Sequence, residues 1–202
     1  MYKLVRNLLS NTFSKKVALS RIEPLNSDPP SDSLQAVLDK YNQGALNDAL
    51  AIACGLELTF PKSARLCNVM GGIYSSLNEM GNSLASYQKA VTLDPQYAQA
   101  YSNMGNAYSV MGKPNAALDC FKQAILMLPD YAEAYYNIAL ALERLDRLDE
   151  AEANYREAVA LKPNLAGAYS NLGNVLHKRG ASEEAEECYH QAILLHPEAA
   201  EP

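Results

Sequence analysis

Apolar, aromatic and small residues recur along the chain with a period of 34 positions, and a proline marks each period. The prolines that lie 34 residues apart are Pro61, Pro95, Pro129, Pro163 and Pro197. They divide most of the chain into five units: 30–63, 64–97, 98–131, 132–165 and 166–199. Apolar residues at unit positions 4, 7 and 11, with a small residue at position 8, form the pattern of an amphipathic helix. A small residue at 20, an aromatic at 24 and an apolar residue at 28 follow, so each unit is predicted to form two helices.

Unit position 15 predicts a tight turn between the two helices. It holds residue types that tolerate a left-handed backbone, namely Gly44, Asn78, Gly112, Asp146 and Gly180. The proline at position 32 ends the second helix, because it lacks an N–H and clashes with the preceding turn. These signals predict ten helices, with ends uncertain by about 2–4 residues. The predicted ranges are 33–43, 47–60, 64–77, 81–93, 98–111, 115–127, 132–145, 149–161, 166–179 and 183–195.

The columns resemble the tetratricopeptide repeat (TPR) family, whose 34-residue pattern has an aromatic at 4, Leu-Gly at 7–8, Ala at 20 and 27, and Pro at 32. The third unit carries this pattern in Tyr101, Met104, Gly105, Tyr108, Ala117, Phe121, Ala124 and Pro129. The resemblance implies an all-α fold: a right-handed α–α superhelix, or TPR solenoid, of five helix-turn-helix repeats. It also implies that the first helices line a concave side. Distorted edges are expected where Val37 and Leu56 replace small residues and where Asn78 replaces the usual turn glycine.

Charge separates a basic N-terminal segment from an acidic body. Residues 1–22 hold five bases and no acid, whereas the remainder holds 12 bases and 23 acids. The predicted organisation is a basic segment and linker at 1–29, five repeats at 30–199 and a tail at 200–202. Residues 1–22 are expected to dock on the first repeat or to form a disordered tail. A membrane-surface helix and a mitochondrial transit peptide are the alternatives.

Several function classes are disfavoured by composition. The net charge of −6 argues against general binding of nucleic acid. No apolar run reaches the roughly 18 residues of a membrane span. His177, His190 and His196 match no zinc pattern, and the four cysteines form no C-x-x-C pair. We therefore expect no catalytic centre, no metal, no cofactor and a reducing compartment such as the cytoplasm, or mitochondria if residues 1–22 are a transit peptide.

The outward face of the first helices, at repeat positions 2, 6, 9 and 13, is the candidate binding groove. Amides can hold an extended peptide by donating to and accepting from its backbone. The candidate groove residues are Asn103, Asn106, Asn137, Asn171, Asn174, Arg65, Gln99, Arg144 and Lys178. The bases are scattered and Glu133 interrupts them, which argues against a carboxylate clamp for chaperone tails.

The predicted function is a protein–protein interaction module or scaffold that binds an extended peptide or a partner helix in this groove. A similar asparagine ladder is known in O-linked N-acetylglucosamine transferases. The alternative is therefore the substrate-recruiting TPR part of a transferase of that kind, continuing beyond residue 202. A third possibility is end-to-end assembly, because Tyr189, Ile193 and Leu194 are expected to form an apolar strip at the C-terminal end. That strip predicts either further chain or pairing with another copy.

Overall fold

The computed structural model describes residues 28–196, and within this range the chain forms ten α-helices and no strands. The all-α fold and the five helix pairs are confirmed, and each helix ends within two residues of its predicted limits. The calls on residues 1–27 and 197–202 lie outside the described residues. The helices are α1 (Ser31–Asn42), α2 (Leu46–Thr59), α3 (Ala64–Ser76), α4 (Met80–Leu93), α5 (Ala98–Val110), α6 (Pro114–Met127), α7 (Ala132–Glu143), α8 (Leu148–Leu161), α9 (Ala166–Lys178) and α10 (Ser182–Leu195).

Helices pack against their neighbours in sequence, which gives a solenoid. Each odd-numbered helix pairs with the helix that follows it, and each even-numbered helix from α2 to α8 packs on the next odd-numbered one. The odd-numbered helices α1, α3, α5 and α7 also contact one another in order. Because a repeat contacts only adjacent repeats, the fold is quasi-one-dimensional. Its buried hydrophobic residues form three successive clusters, and the odd-numbered helices build one face.

The five turns at repeat position 15 adopt the left-handed backbone that the sequence predicts. Gly44, Gly112 and Gly180 have φ of 75°, 69° and 84°. Asn78 and Asp146 have φ of 60° and 58°, and these are two of the residue types that accept this region most readily. The asparagine in the second repeat therefore makes the same turn as glycine.

Small residues at position 8 let an aromatic ring lie directly on the first helix of the same repeat. A Cβ built on Gly105 would lie 2.5 Å from Cε1 of Phe121, and one on Gly71 would lie 2.5 Å from Cε1 of Tyr87. Because both distances are shorter than real Cβ contacts, these two positions require glycine while the rings stay in place. The glycines thus set how closely the paired helices approach.

The first repeat is regular, which corrects the expectation of a distorted edge. Its helices have the same order and similar lengths as the others, and Val37 is fully buried. The partner position, which is aromatic in the other repeats, holds Ala53, and this residue is also fully buried. A large residue on α1 facing a small one on α2 fills the volume that a glycine and a ring fill elsewhere.

Candidate functional site

The first three odd-numbered helices enclose an open groove of about 520 Å³. The lining residues of α3 and α5 lie at repeat positions 2, 6, 9 and 13 and also at 5, 10 and 12, whereas α1 contributes positions 5, 9 and 12. We call it the α1–α5 groove. Its lining comprises Leu34, Leu38 and Tyr41 of α1; Arg65, Asn68, Val69, Gly72, Ser75 and Ser76 of α3; Gln99, Asn103, Asn106, Ala107 and Val110 of α5; and Tyr87 and Tyr97.

A chain of hydrogen bonds fixes the middle of the α1–α5 groove. The Asn103 side-chain NH₂ donates to Oδ1 of Asn68 at 2.9 Å, which joins α5 to α3. Asn68 is buried and its own NH₂ donates to the Tyr97 hydroxyl at 3.4 Å. Asn103 is thereby held in place, and its carboxamide has further donor and acceptor capacity toward the groove.

The predicted asparagine ladder has a packing role in the C-terminal half as well. Asn171 donates from its NH₂ to the Tyr136 hydroxyl at 3.1 Å and so joins α9 to α7. Asn174 accepts a bond from the Tyr189 hydroxyl at 2.9 Å, within its own repeat. Asn137 is half-buried on α7. Of the predicted amides, Asn103 and Asn106 lie in the α1–α5 groove, while the other three lie on the two later helices.

The predicted basic and amide residues divide in the same way. Arg65 and Gln99 are exposed and line the α1–α5 groove. Arg144 donates from Nη1 to the carbonyl oxygen of Ser109 at 2.9 Å, which joins the ends of α7 and α5. Nζ of Lys178 on α9 lies 3.3 Å from Oε1 of Glu143 on α7. Arg144 and Lys178 thus serve as cross-links between successive first helices.

Charges on α7 are compensated by neighbouring side chains. The buried Tyr155 donates from its hydroxyl to Oε2 of Glu143 at 2.6 Å. Burial raises the pKa of Tyr155, and the bond to the Glu143 carboxylate raises it further. At the other end of α7, Lys162 lies 2.6 Å from Glu133, and its hydrogen bond lowers the pKa of that carboxyl. Both carboxylates of α7 therefore have a partner within the fold.

Three tyrosines in the α1–α5 groove were missed by sequence reasoning. The Tyr41 hydroxyl lies 2.9 Å from Oγ of Ser76, and burial raises the pKa of Tyr87 to about 12. Burial also raises the pKa of Tyr97, so both phenols stay protonated at neutral pH. Tyr87 belongs to the recurring aromatic at position 24, and Tyr97 recurs once as Tyr131, but Tyr41 has no aromatic counterpart in the other repeats.

No candidate catalytic or metal centre emerges from residues 28–196. In this range no group of three or more His, Cys, Asp or Glu side chains is arranged to hold a metal ion. The four cysteines are unpaired with one another, and burial raises the pKa of the Cys120 thiol to about 11. In the same part of the chain, no helix combines the length and the apolar character of a bilayer span.

Comparison with protein families identifies the repeats. Three family models described as tetratricopeptide or TPR repeats match residues 71–112, 102–166 and 166–198. No curated protein matches the chain. Nothing in the matches points to the glycosyltransferase alternative.

Solved structures share the fold at low sequence identity. A crystal structure of MamA is 24% identical, with a TM-score of 0.72 over 81% of this chain and 96% of MamA. YrrB, described as a TPR protein with an unusual peptide-binding site, is 19% identical, with a TM-score of 0.64 over 84% of this chain and 87% of YrrB. PilF of Pseudomonas aeruginosa is 16% identical, with a TM-score of 0.77 over 81% of this chain and 74% of PilF. Identities of this size establish the solenoid fold alone.

Proposed function

Since the chain belongs to the tetratricopeptide repeat family, we propose that it is a protein-interaction module whose α1–α5 groove binds an extended peptide. The observation that carries this proposal is the composition of the groove. Apolar side chains, amides held by the fold and one guanidinium line a single open trough of about 520 Å³. Amides suit a peptide backbone and apolar contacts suit its side chains, so the lining matches a peptide better than a small charged metabolite.

Each of the three helices contributes apolar contact surface to this trough. Val110 on α5 is 68% exposed, and Leu38 and Val69 are partly exposed on α1 and α3. Between them Gly72 leaves the floor open: a Cβ placed there would have only the Tyr87 hydroxyl within 4 Å, at 3.8 Å. A peptide backbone can therefore approach α3 closely while its side chains contact the apolar residues on either side.

Amide groups supply the backbone contacts. Asn106 and Gln99 are exposed on the groove face of α5, one turn to either side of Asn103. The bond from Asn103 to Asn68 holds that side chain in place before any ligand arrives. Pre-ordering of this kind lowers the entropic cost of binding. Because amides do not distinguish between side chains, this part of the groove is expected to bind with little sequence preference.

The single cation in the lining limits the choice of ligand. Arg65 can form a charge-assisted hydrogen bond to one carboxylate. A run of acidic residues would meet no second base in the α1–α5 groove, because Arg144 and Lys178 belong to the later helices. We therefore expect an uncharged peptide, or one with a single acidic residue opposite Arg65. YrrB, a TPR protein of the same fold described as having an unusual peptide-binding site, is a precedent for this role.

Peptide selection from a random displayed library tests the proposal. Peptides recovered on the wild-type protein should bind Val110→Glu at least about tenfold more weakly, because a buried carboxylate replaces an apolar contact. Leu126→Glu is the matched control: Leu126 lies on α6, outside the groove lining, and is 66% exposed compared with 68% for Val110. Equal loss in both variants, or no enrichment of peptides, would contradict the groove assignment.

The compartment remains part of the proposal. Four cysteines that form no disulfide with one another suit a reducing compartment such as the cytoplasm. Labelling of intact cells with a fluorescent fusion at the C-terminus, which leaves residues 1–22 free, would distinguish this location from mitochondria.

A further inference from the structure

The last repeat has an open apolar hollow on the face where earlier repeats receive the next helix. This hollow has a volume of about 530 Å³ and lies between α9 and α10. Its lining includes Gly167, Ser170, Tyr189, Ala192 and Ile193. Within residues 28–196, no further helix packs on this face.

The same positions one repeat earlier are covered. Tyr155 and Ala158 of α8 are fully buried, since α9 packs over them. Their counterparts Tyr189 and Ala192 on α10 are partly exposed, and Ile193 is 47% exposed. The hollow can therefore receive a further helix that packs on α10 in the way that α9 packs on α8.

One ion-pair cluster distinguishes the α8–α9 contact from the earlier ones. Arg179, directly after α9, binds Glu152 of α8 and lies 2.5 Å from the Asp149 carboxylate. Glu152 is buried at 6% exposure and also binds Arg156 of its own helix. A buried carboxylate needs such cationic partners to offset its desolvation.

Two acidic residues of α10 repeat that arrangement without a following helix. Glu183 and Glu186 are exposed on α10 and lie 34 residues after Asp149 and Glu152. In the first three repeats the position of Glu152 is a leucine, namely Leu50, Leu84 and Leu118. The acidic pair thus occurs only in the last two repeats. By analogy with Arg179, the α10 face should receive a helix that places a basic residue opposite Glu183 and Glu186.

Residues 1–22 carry a sequence of this kind. The buried residues of α9 include Ala168, Leu172 and Leu176, and Arg179 follows three residues after the last of them. Val5, Leu9, Phe13 and Lys16 have the same spacing, and Ser10 stands where α9 has the small Gly173.

Charge supports the same match. Residues 1–22 hold five bases and no acid, whereas α10 exposes Glu183 and Glu186 at the positions of Asp149 and Glu152. We infer that the α10 face is a docking surface for the basic segment 1–22 of a second copy of this chain, with Lys16 taking the place that Arg179 has on α8. The contact is heterologous, because the two surfaces differ, and it therefore joins molecules head to tail.

Molar mass measured by light scattering over a wide concentration range tests the inference on the full chain. The wild type should form dimers and longer species as concentration rises. Glu186→Lys and Lys16→Glu should each weaken association by about tenfold or more, because each leaves like charges opposed in a partly buried contact. The double variant Glu186→Lys with Lys16→Glu should recover association, since it restores opposite charges in swapped positions.

Glu187→Lys is the matched control, because it makes the same change of charge on α10 while its counterpart one repeat earlier, Ala153, stays exposed and takes no part in the ion-pair cluster with Arg179. It should associate like the wild type, and helicity measured by circular dichroism should be equal in all variants. A wild type that stays monomeric at every concentration would overturn the inference. So would association that Lys16→Glu leaves unchanged, or a double variant that does not recover.

Discussion

The two halves of the odd-helix face have the same helical framework, but their polar residues have different roles. On α7 and α9, Glu133, Glu143 and Lys178 are engaged in ion pairs, and Asn171 bonds to the preceding odd-numbered helix. On α5, Gln99 and Asn106 line an open groove. The repeat pattern thus sets where a side chain points, whereas the neighbouring repeat determines whether that side chain is bonded within the stack or left open in the proposed binding groove.

Asn103 and Asn171 illustrate the difference, because they occupy the same repeat position. Both donate to a residue 35 positions earlier on the preceding odd-numbered helix. The acceptor is a buried amide for Asn103 and a phenol for Asn171. Only Asn103 lies within the α1–α5 groove, where its remaining hydrogen-bonding capacity faces the trough. An identical residue at an identical position therefore joins two helices in both halves, but it lines the proposed binding groove in only one of them.

The largest expected effect is a loss of stability when a buried alanine between paired helices is enlarged. It should be the same in both halves, because both halves share this helix packing. Ala117 and Ala151 are fully buried at helix contacts of the third and fourth repeats. Ala117→Leu and Ala151→Leu should each lower the free energy of unfolding by about 1–3 kcal/mol through overpacking. Chemical denaturation measures it. If one variant were as stable as the wild type, the two halves would differ in packing as well as in polar chemistry.

Removing the tyrosine hydroxyl at repeat position 24 should lower stability by different amounts in the two halves. Tyr155→Phe removes the donor to the part-buried Glu143 carboxylate and should cost about 1 kcal/mol or more. Tyr87→Phe is the matched change in the other half, where the phenol has no carboxylate among its hydrogen-bond partners, and should cost only about 0.5 kcal/mol. Equal losses in thermal or chemical unfolding would show that the ion-paired half gains no extra stability from Glu143.

The fold was predictable to within two residues at each helix end because it depends on local signals that repeat. The left-handed turns and the small residues at positions 8 and 20 follow from residue type alone. The expectation for Val37 was wrong because the compensating change, Ala53, lies on another helix and is seen only when both are placed together. The side of each odd-numbered helix on which the groove residues lie was predictable, because helical periodicity determines which residues share a face. Their partners were not, because the bonds from Asn103, Arg144 and Lys178 cross to a different repeat.

Removing single asparagine side chains should separate an amide that contacts a peptide from an amide that stabilises helix packing. Asn106→Ala should leave the melting temperature unchanged and weaken a peptide selected on the groove by about 2–10-fold, the effect of one net hydrogen bond. Asn171→Ala should lower stability by about 0.5–1.5 kcal/mol and leave peptide binding unchanged, because it removes the bond to Tyr136 outside the α1–α5 groove. Titration calorimetry and thermal melts on the two variants measure both effects. The reverse pattern would move the binding site to the later helices.

The smallest expected effect is a pH dependence confined to the ion-paired half. The hydrogen bond from Lys162 lowers the pKa of Glu133 in the folded state. A lowered carboxyl pKa means that its stabilisation is present above the unfolded pKa and is lost as the pH falls through the folded pKa. Both side chains are more than 40% exposed (42% for Lys162, 45% for Glu133), so solvent screening should limit the contribution to a few tenths of a kcal/mol, about the size of other surface pairs. Glu133→Gln should therefore be slightly less stable than the wild type at neutral pH, and this difference should vanish in acid. Unfolding curves at neutral pH and below about pH 4 measure it, and a difference that persists in acid would assign the effect to packing of the side chain instead of to its charge.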